Sequence, residues 1–256
     1  MKFAHFTKAI SALALASAAI SAHAIPVTVF DNGSYVDTAN ASSESDLLQA
    51  SLVKGGFTVS TFTAMTAAGI STALKGQEVL VIPEQEVGSM TGGMDAAALE
   101  VVRSFVANGG GLVISADYRS TLNTLFGFTL VNARATSSTL STLAAGTEFA
   151  GGPATLSAPS ATYGFTLASL PTGSASIYNS GLNSAVTVMH YGNGDIVQLG
   201  WDWFGAAPTG TVDGGWLSVL NRSVALAANT NQVPEPGSLA LVFIALAAAA
   251  LARRRN

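Results

Sequence analysis

The sequence contains the residue types of a nucleophilic triad in Ser115, Asp117 and His190. A serine hydroxyl becomes a nucleophile only at an exposed, strained turn with a base within hydrogen-bond reach. Nothing near Ser115 indicates such a turn, and His190 lies far along the chain in a hairpin pattern. The chain has no cysteine, which excludes a thiolate nucleophile. We therefore interpret Ser115 as a strand-end residue and His190 as an ordinary hairpin residue, and we predict no catalytic residue.

Metal binding has little support in the spacing of potential ligands. His190 is the one histidine of residues 25–233, and it lacks the clustered neighbours that zinc sites require. A calcium site built from Asp31, Asn32 and Asp37 remains an alternative, although a turn-forming loop explains this segment more simply. We predict no metal and no cofactor.

Paired carboxylates would suit glycoside hydrolysis, which needs two acids at a controlled separation. Glu84 could form such a pair with Glu86 or with Asp117. Surface domains often carry acids at such spacings by chance. A hydrolase with an unrecognised site therefore stays an alternative rather than the preferred interpretation.

Asp31, Glu84 and Asp117 each follow a predicted parallel strand. Ligands of open parallel sheets bind beyond the carboxyl ends of the strands, so these acids should share one rim. Trp201 and Trp203 are two positions apart on a predicted strand and should point to the same face. Aromatic faces and carboxylates suit sugars, so these five residues form a tentative ligand rim. The alternative is that the acids cap helices and the tryptophans belong to the core.

The elements that carry these residues alternate between strands and helices. Apolar or alternating runs predict strands, and capping residues and glycines mark the helices between them. The predicted strands are 27–30, 58–62, 79–82 and 112–115, and the predicted helices begin at a capping box over 43–46, at Thr66 and at Asp95. This alternation predicts an α/β fold, a three-layer α/β/α sandwich with a mainly parallel sheet.

The second half of the domain has a weaker pattern. Residues 129–184 are rich in Ser, Thr, Ala and Gly, and they indicate a loop-rich region with short strands. Residues 185–191 and 196–202 flank a Gly-Asn-Gly-Asp turn, which predicts a hairpin, and 216–228 predicts a closing amphipathic helix. We expect a single domain over residues 25–228.

Four of these segments together resemble class I glutamine amidotransferase-like domains. They are the Val-Leu-Val-Ile-Pro run at 79–83, the helix from Asp95, the Gly-Gly-Gly-Leu-Val-Ile run at 109–114 and the segment 194–202. The resemblance implies a flavodoxin-like sandwich. Enzymes of that family carry a cysteine on a tight elbow after the glycine-rich strand, served by a later histidine and glutamate. Here that position reads Ser-Ala-Asp-Tyr over 115–118, so the resemblance implies a domain without the family's nucleophile.

The N-terminus has the three parts of a secretory signal peptide. Lys2 and Lys8 precede an apolar run over 9–20, and Ala22-His23-Ala24 forms a small-x-small cleavage site. Residues 1–24 should therefore direct export and be removed by signal peptidase.

The C-terminus contains a second targeting signal. Residues 229–237 form a linker with Pro234, Glu235 and Pro236, residues 238–252 are uncharged and apolar, and Arg253, Arg254 and Arg255 lie in the final segment 253–256. Such an order predicts a transmembrane helix with a cytoplasmic basic tail, because clustered arginines resist translocation. At about 1.5 Å per residue the helix is somewhat short for a bilayer core of about 30 Å.

This tail resembles the PEP-CTERM sorting signal of exported bacterial proteins. The resemblance implies processing by an exosortase, with inner-membrane anchoring first and then delivery to the cell surface or an extracellular polysaccharide matrix.

The charge of the exported part limits its partners. Residues 25–233 contain six basic and fourteen acidic side chains, a formal charge of −8. Such a domain, without a basic stripe, is unsuited to nucleic acid. We therefore expect a non-catalytic surface or matrix protein with a structural or interaction role. A carbohydrate-binding module for exopolysaccharide is the first alternative, and a hydrolase is the second.

Overall fold

The computed structural model describes residues 24–157, 162–203 and 214–229. Within these residues, eleven strands form one sheet. The strands are β1 (Pro26–Phe30), β2 (Thr58–Phe62), β3 (Val79–Ile82), β4 (Gly111–Ser115), β5 (Asn132–Arg134), β6 (Ser138–Leu140), β7 (Thr155–Leu156), β8 (Tyr163–Thr166), β9 (Ala175–Ser180), β10 (Asn183–Tyr191) and β11 (Gly194–Leu199). The helices are α1 (Glu44–Lys54), α2 (Ala67–Leu74), α3 (Met90–Gly93), α4 (Ala96–Ala107), α5 (Thr121–Phe126) and α6 (Trp216–Asn229).

One half of the sheet is parallel, in the order β2-β1-β3-β4-β11. Its register places Ile82 beside Ile114 and Ser115 beside Leu199. The strands and helices predicted for residues 27–115 are confirmed, with boundaries that differ by one or two residues. Short apolar strands separated by amphipathic helices specify this arrangement, since each parallel connection needs a crossover.

The other half is antiparallel, so the sheet is mixed and the prediction of a mainly parallel sheet is wrong. β10 pairs antiparallel with β11, β9 and β8, and β6 continues the path to β7. The loops Gly181-Leu182 and Gly192-Asn193 join neighbouring strands directly, and two residues are too few for a parallel crossover. The Ser- and Thr-rich region supplies the short strands β5 to β9, as its composition indicated.

Helices cover the two faces of the parallel half, which gives the predicted three layers. Alternate side chains of each strand point to opposite faces. Val29, Val81 and Val113 pack with apolar residues of α1 and α6. Leu80 and Ile114 pack on the other face with residues of α2, α4 and α5.

Of the two predicted helix caps, the one at Asp95 is confirmed and the capping box at 43–46 is not, while Thr66 caps a helix that was predicted only to begin there. Thr66 accepts a hydrogen bond from the backbone N–H of Gly69 at the start of α2, and Asp95 accepts one from Ala98 at the start of α4. The capping box predicted for α1 is absent, because the Ser43 hydroxyl instead accepts a bond from the backbone N–H of Asn40.

Among the described residues, no helix combines the length and apolarity needed to cross a membrane. The predicted transmembrane helix over 238–252 and the signal peptide, apart from its last residue, lie outside the described part of the chain.

Candidate functional site

The carboxyl ends of the parallel strands lead into acidic residues. Asp31 follows β1, Glu84 lies two positions after β3, and Asp202 lies three positions after β11. Glu44 enters the same region as the first residue of α1, which covers this end of the sheet from one face. The fold therefore brings together acids that are far apart in the sequence.

Three of these side chains form a compact cluster, which we call the carboxylate cluster: Glu44, Glu84 and Asp202. Each offers a carboxylate oxygen, and the three oxygens lie within 4.8 Å of one another. Glu44 is 2% exposed and Glu84 is 5% exposed, whereas Asp202 is half-buried. A side-chain hydrogen bond links Glu44 to Asp202, which requires a shared proton because an ionised carboxylate has no donor.

Burial and like charges raise the pKa values in this cluster. Burial is the largest cause for Glu44, followed by the hydrogen bond and charge of Asp202, and together they raise its pKa to about 10. Burial, then the charges of Asp202 and Glu86, raises the pKa of Glu84 to about 8. Both side chains therefore hold a proton at neutral pH when no cation is bound.

The acidic edge extends beyond the cluster. Burial, and then the charges of Asp31 and Asp37, raises the pKa of Asp46. Burial, and then Asp202 and Asp37, raises the pKa of the exposed Glu86, which Arg119 partly offsets. One end of the sheet is thus strongly acidic, with electrostatic contacts that connect all of these groups.

Asp31 is at this edge, as predicted, but its carboxylate accepts a hydrogen bond of 2.7 Å from the Ser45 hydroxyl. Asn32 and Asp37, the other residues of the alternative calcium site, instead form turns. The Asn32 side-chain oxygen accepts from the backbone of Ser34, and the Asp37 carboxylate accepts from the backbone of Ala39.

Asp117 serves as a helix cap. Its two carboxylate oxygens accept bonds from the backbone N–H groups of Thr121 at 2.7 Å and Leu122 at 3.0 Å, at the start of α5. Burial raises its pKa to about 6, although those hydrogen bonds act in the opposite direction. Asp117 is 3% exposed, so its carboxylate faces its own helix rather than a ligand rim or a partner acid for Glu84.

Trp201 and Trp203 lie in the core, each about 2% exposed. Their rings meet edge to face at 4.8 Å, and Trp201 stacks on Trp216 of α6 at 5.7 Å. The two side chains share one face of the sheet, as predicted. The prediction that they form an accessible aromatic rim is wrong, and they belong to the core: Trp216 of the closing helix covers Trp201, and the Trp203 indole N–H donates to the Ser51 hydroxyl of α1.

Two tyrosines provide the aromatic surface that the tryptophans do not. Tyr118 and Tyr163 are half-buried, with ring centroids 6.1 Å apart. The Tyr118 hydroxyl donates to the backbone carbonyl of Gln85 at 3.0 Å. Burial, and then the negative charge of Glu84, raises the pKa of Tyr118 to about 12, which places its ring next to the acidic edge.

The turn after β4 has a strained backbone. Ala116 has φ of 38°, in the left-handed region that residues with a Cβ seldom adopt. Its N–H donates to the carbonyl of Leu199 at 2.7 Å, which ties the turn to β11. A strained turn that the sequence did not indicate is therefore present after β4; we call it the elbow, and alanine occupies its strained position.

Ser115 and His190 are at opposite ends of the sheet. Ser115 is level with Leu199 of β11, whereas His190 is level with Asp195 and bonds to its carboxylate through Nδ1. Four residues of strand separate the two levels, or about 13 Å. This separation rules out direct proton transfer between the Ser115 hydroxyl and the imidazole.

Glu44 and Asp202 were missing from the predicted rim. Glu44 follows Ser43 and resembles a helix-start residue, while the strand period assigned Asp202 to the face opposite its tryptophan neighbours. β11 ends at Leu199, so the strand period does not extend to Asp202, and its carboxylate meets Glu44 at the start of α1.

Comparison with known families identifies one match. Residues 232–255 match the PEP-CTERM protein-sorting motif. This match supports an exported protein that an exosortase processes at the membrane. No curated protein matches the chain.

Comparison with solved structures shows the fold. A ThuA-like protein from Parabacteroides merdae superposes with a TM-score of 0.52 at 14% identity, covering 83% of this chain and 94% of its own. A ThuA-like protein from Bacteroides uniformis gives 0.53 at 15%, covering 79% and 93%. A GMP synthase subunit from Thermoplasma acidophilum gives 0.52 at 13%, covering 82% and 98%. At these identities the likeness extends to the α/β architecture alone.

Proposed function

We propose that this exported protein is a non-catalytic interaction module of the cell surface or the extracellular matrix, displayed after exosortase processing. The observation that carries the proposal is the elbow after β4. Its backbone is strained at Ala116, whose methyl group can neither attack a substrate nor transfer a proton. The neighbouring Ser115 is buried and lies about four residues of strand away from the level of His190.

The positions of the acids also argue against glycoside hydrolysis at the acidic edge. A glycoside hydrolase needs its acid and its second carboxylate within reach of the scissile bond. Glu44 and Glu84 are almost fully buried, and Asp117 is bonded to the start of α5. These positions favour a structural or binding role for the acids.

The experiment combines an activity assay with a surface assay on the full-length protein. We expect the Ser115→Ala and His190→Ala variants to leave surface display and cell attachment unchanged in a host with a working exosortase. Hydrolysis of glutamine, esters or glycans by the purified wild type, abolished by either substitution, would overturn the non-catalytic assignment.

A second candidate function is binding of extracellular polysaccharide at the acidic edge. It is supported by the half-buried ring of Tyr118 beside Glu84 and by the Tyr163 ring, whose centroid lies 6.1 Å from that of Tyr118. Aromatic faces stack on the C–H surfaces of sugars, and nearby oxygens accept hydrogen bonds from hydroxyl groups. These tyrosines replace the buried tryptophans as the aromatic part of the ligand rim.

Binding of the purified chain to polysaccharide from its own host tests this candidate. The Tyr163→Ala variant should bind roughly tenfold more weakly, equivalent to about 1.4 kcal/mol of lost contact. Tyr191 is a matched control, because it is also half-buried but lies at the opposite end of the sheet, against Phe126. Equal losses in the Tyr163→Ala and Tyr191→Ala variants would contradict a sugar site at the acidic edge.

A further inference from the structure

We propose that the carboxylate cluster of Glu44, Glu84 and Asp202 binds one divalent cation that prefers oxygen ligands, with Ca²⁺ as the best fit. The three carboxylate oxygens lie within 4.8 Å of one another. Ca²⁺ holds its ligands at roughly 2.4 Å, so two oxygens of one ion stand at most about 4.8 Å apart. The three oxygens are therefore already close enough to share a single ion.

An independent observation comes from Ser115, whose hydroxyl is buried and has no hydrogen-bond partner within the described ranges. Ser115 is two positions after Val113, so it faces the same side of the sheet as Val113, which packs against α1. β4 lies between β3 and β11, the strands that lead to Glu84 and Asp202. The hydroxyl therefore points towards the layer from which Glu44 enters, and it offers a fourth oxygen.

The carboxyl groups themselves have unused ligand positions. The Oε2 atoms of Glu44 and Glu84 are buried and make no hydrogen bond in the part of the chain that the structure describes. A buried polar atom without a partner costs roughly 1–3 kcal/mol. Coordination of a cation would satisfy both oxygens at once, whereas the hydrogen bond between Glu44 and Asp202 satisfies neither.

The chain has little positive charge of its own at this edge. Among the described basic residues, Arg119 acts on the exposed Glu86, and its guanidinium donates to the backbone carbonyls of Gln85 and Glu86. Residues 158–161 and 204–213 contain no Lys, Arg or His. When the carboxyl groups release their protons, a small ion from solvent is thus the most direct source of counter-charge, and oxygen donors alone select the Ca²⁺ and Mg²⁺ class over softer metals.

The test uses full-length protein in non-ionic detergent, freed of metal with a chelator and then titrated with CaCl₂ or MgCl₂. Extracellular calcium modules have dissociation constants of about 0.1–1 mM. With that affinity, about 10 mM Ca²⁺ should raise the Tm by roughly 4–8 °C. Terbium(III) serves as a direct probe, because it takes the same oxygen ligands and luminesces when an adjacent aromatic ring transfers energy to it.

Glu84→Gln and Asp202→Asn are the test variants, and Glu100→Gln is the control because it removes an exposed carboxylate on α4. We expect the test variants to lose the Tm shift and at least tenfold in terbium affinity, with both properties kept in the control. If one test variant does not fold, the other and the wild-type terbium titration still decide the question.

Two results would overturn the proposal: no Tm shift and no terbium luminescence in the wild type, or binding in the test variants that equals binding in the control. A rise in Tm with either Ca²⁺ or Mg²⁺ that is lost in both the Glu84→Gln and the Asp202→Asn variants supports the proposed cation site.

Discussion

Replacing Glu84 with glutamine should stabilise the metal-free protein at alkaline pH and leave its stability almost unchanged in acid. Burial, and then the charges of Asp202 and Glu86, raises the pKa of Glu84 from 4.5 to about 8. The folded protein keeps this proton where the unfolded chain has already lost it. Glu84 therefore does not reduce the stability of the fold below about pH 4.5, where it is protonated in both states. Stability falls as the pH rises to about 8, because the unfolded chain ionises there more readily than the folded protein.

The size of the effect follows from the two pKa values. The difference between 4.5 and about 8 corresponds to roughly 5 kcal/mol, at about 1.4 kcal/mol for each factor of ten in proton affinity. Water entry and adjustment of the neighbouring Glu44 reduce the cost of a buried charge. We expect the Glu84→Gln variant to gain about 2–3 kcal/mol over the wild type at about pH 8.5, and almost nothing at about pH 4.5.

Urea denaturation followed by tryptophan fluorescence measures this gain, because Trp201, Trp203 and Trp216 are all in the core. A chelator keeps the cluster metal-free throughout. Wild-type stability should fall between the two pH values, whereas the variant should show a shallower decline that comes from Glu44, whose pKa is also raised.

Glu100→Gln is again the matched control. Hydrogen bonds from Arg103 and Ser104 lower the pKa of Glu100, so its carboxylate is ionised in both states above about pH 5. Replacing it should therefore have a constant effect above about pH 5 and a slightly smaller effect at about pH 4.5, which is the opposite trend to the loss of stability expected from Glu84. A gain from Glu84→Gln that is the same at both pH values would refute the reasoning. So would a variant that is less stable than the wild type at about pH 8.5.

Three other predictions concern the caps, the elbow and the tail. Asp117→Ala should cost about 1–3 kcal/mol in urea denaturation, because two buried N–H groups lose their acceptor; a smaller loss than in the more exposed cap variant Asp95→Ala would contradict this. Ala116→Gly should raise the free energy of unfolding by about 1 kcal/mol, because glycine adopts a positive φ without strain. The control Ala225→Gly within α6 should lower it by about 1 kcal/mol. A lower value in both variants would indicate that the elbow is not strained. Serine in place of the arginines at 253–255 should increase the unprocessed fraction on immunoblots, because the tail loses its cytoplasmic anchor; unchanged processing would show that these charges do not orient the chain.

The parallel half of the fold could be predicted from the sequence because its elements have strong local patterns. Residues 79–82 form a short apolar run, and Asp95 and the glycines at 109–111 mark both ends of α4. The antiparallel half was less predictable, since strands such as β6 and β7 have two or three residues and show no period. Pairing with neighbouring strands fixes their positions, and that information is not local.

The site was predicted in part, for a similar reason. Topology correctly placed Asp31 and Glu84 at the carboxyl edge. The role of Asp117 depends on where α5 begins, and the burial of Trp201 depends on how α6 packs. The meeting of Glu44 with Asp202 depends on how α1 packs on one face of the sheet, and local residue patterns do not determine that packing.

The central claim is that an exosortase processes the exported chain, and the mass of the mature chain tests this claim most directly. In a host with a working exosortase, the protein recovered from the cell surface should lack residues 1–24 and the segment beyond the Pro234-Glu235-Pro236 motif. Alanine at these three positions should leave the full tail attached and the chain in the membrane fraction. A wild-type surface protein that retains residues 253–255 in such a host, or an alanine variant that loses them, would contradict exosortase processing.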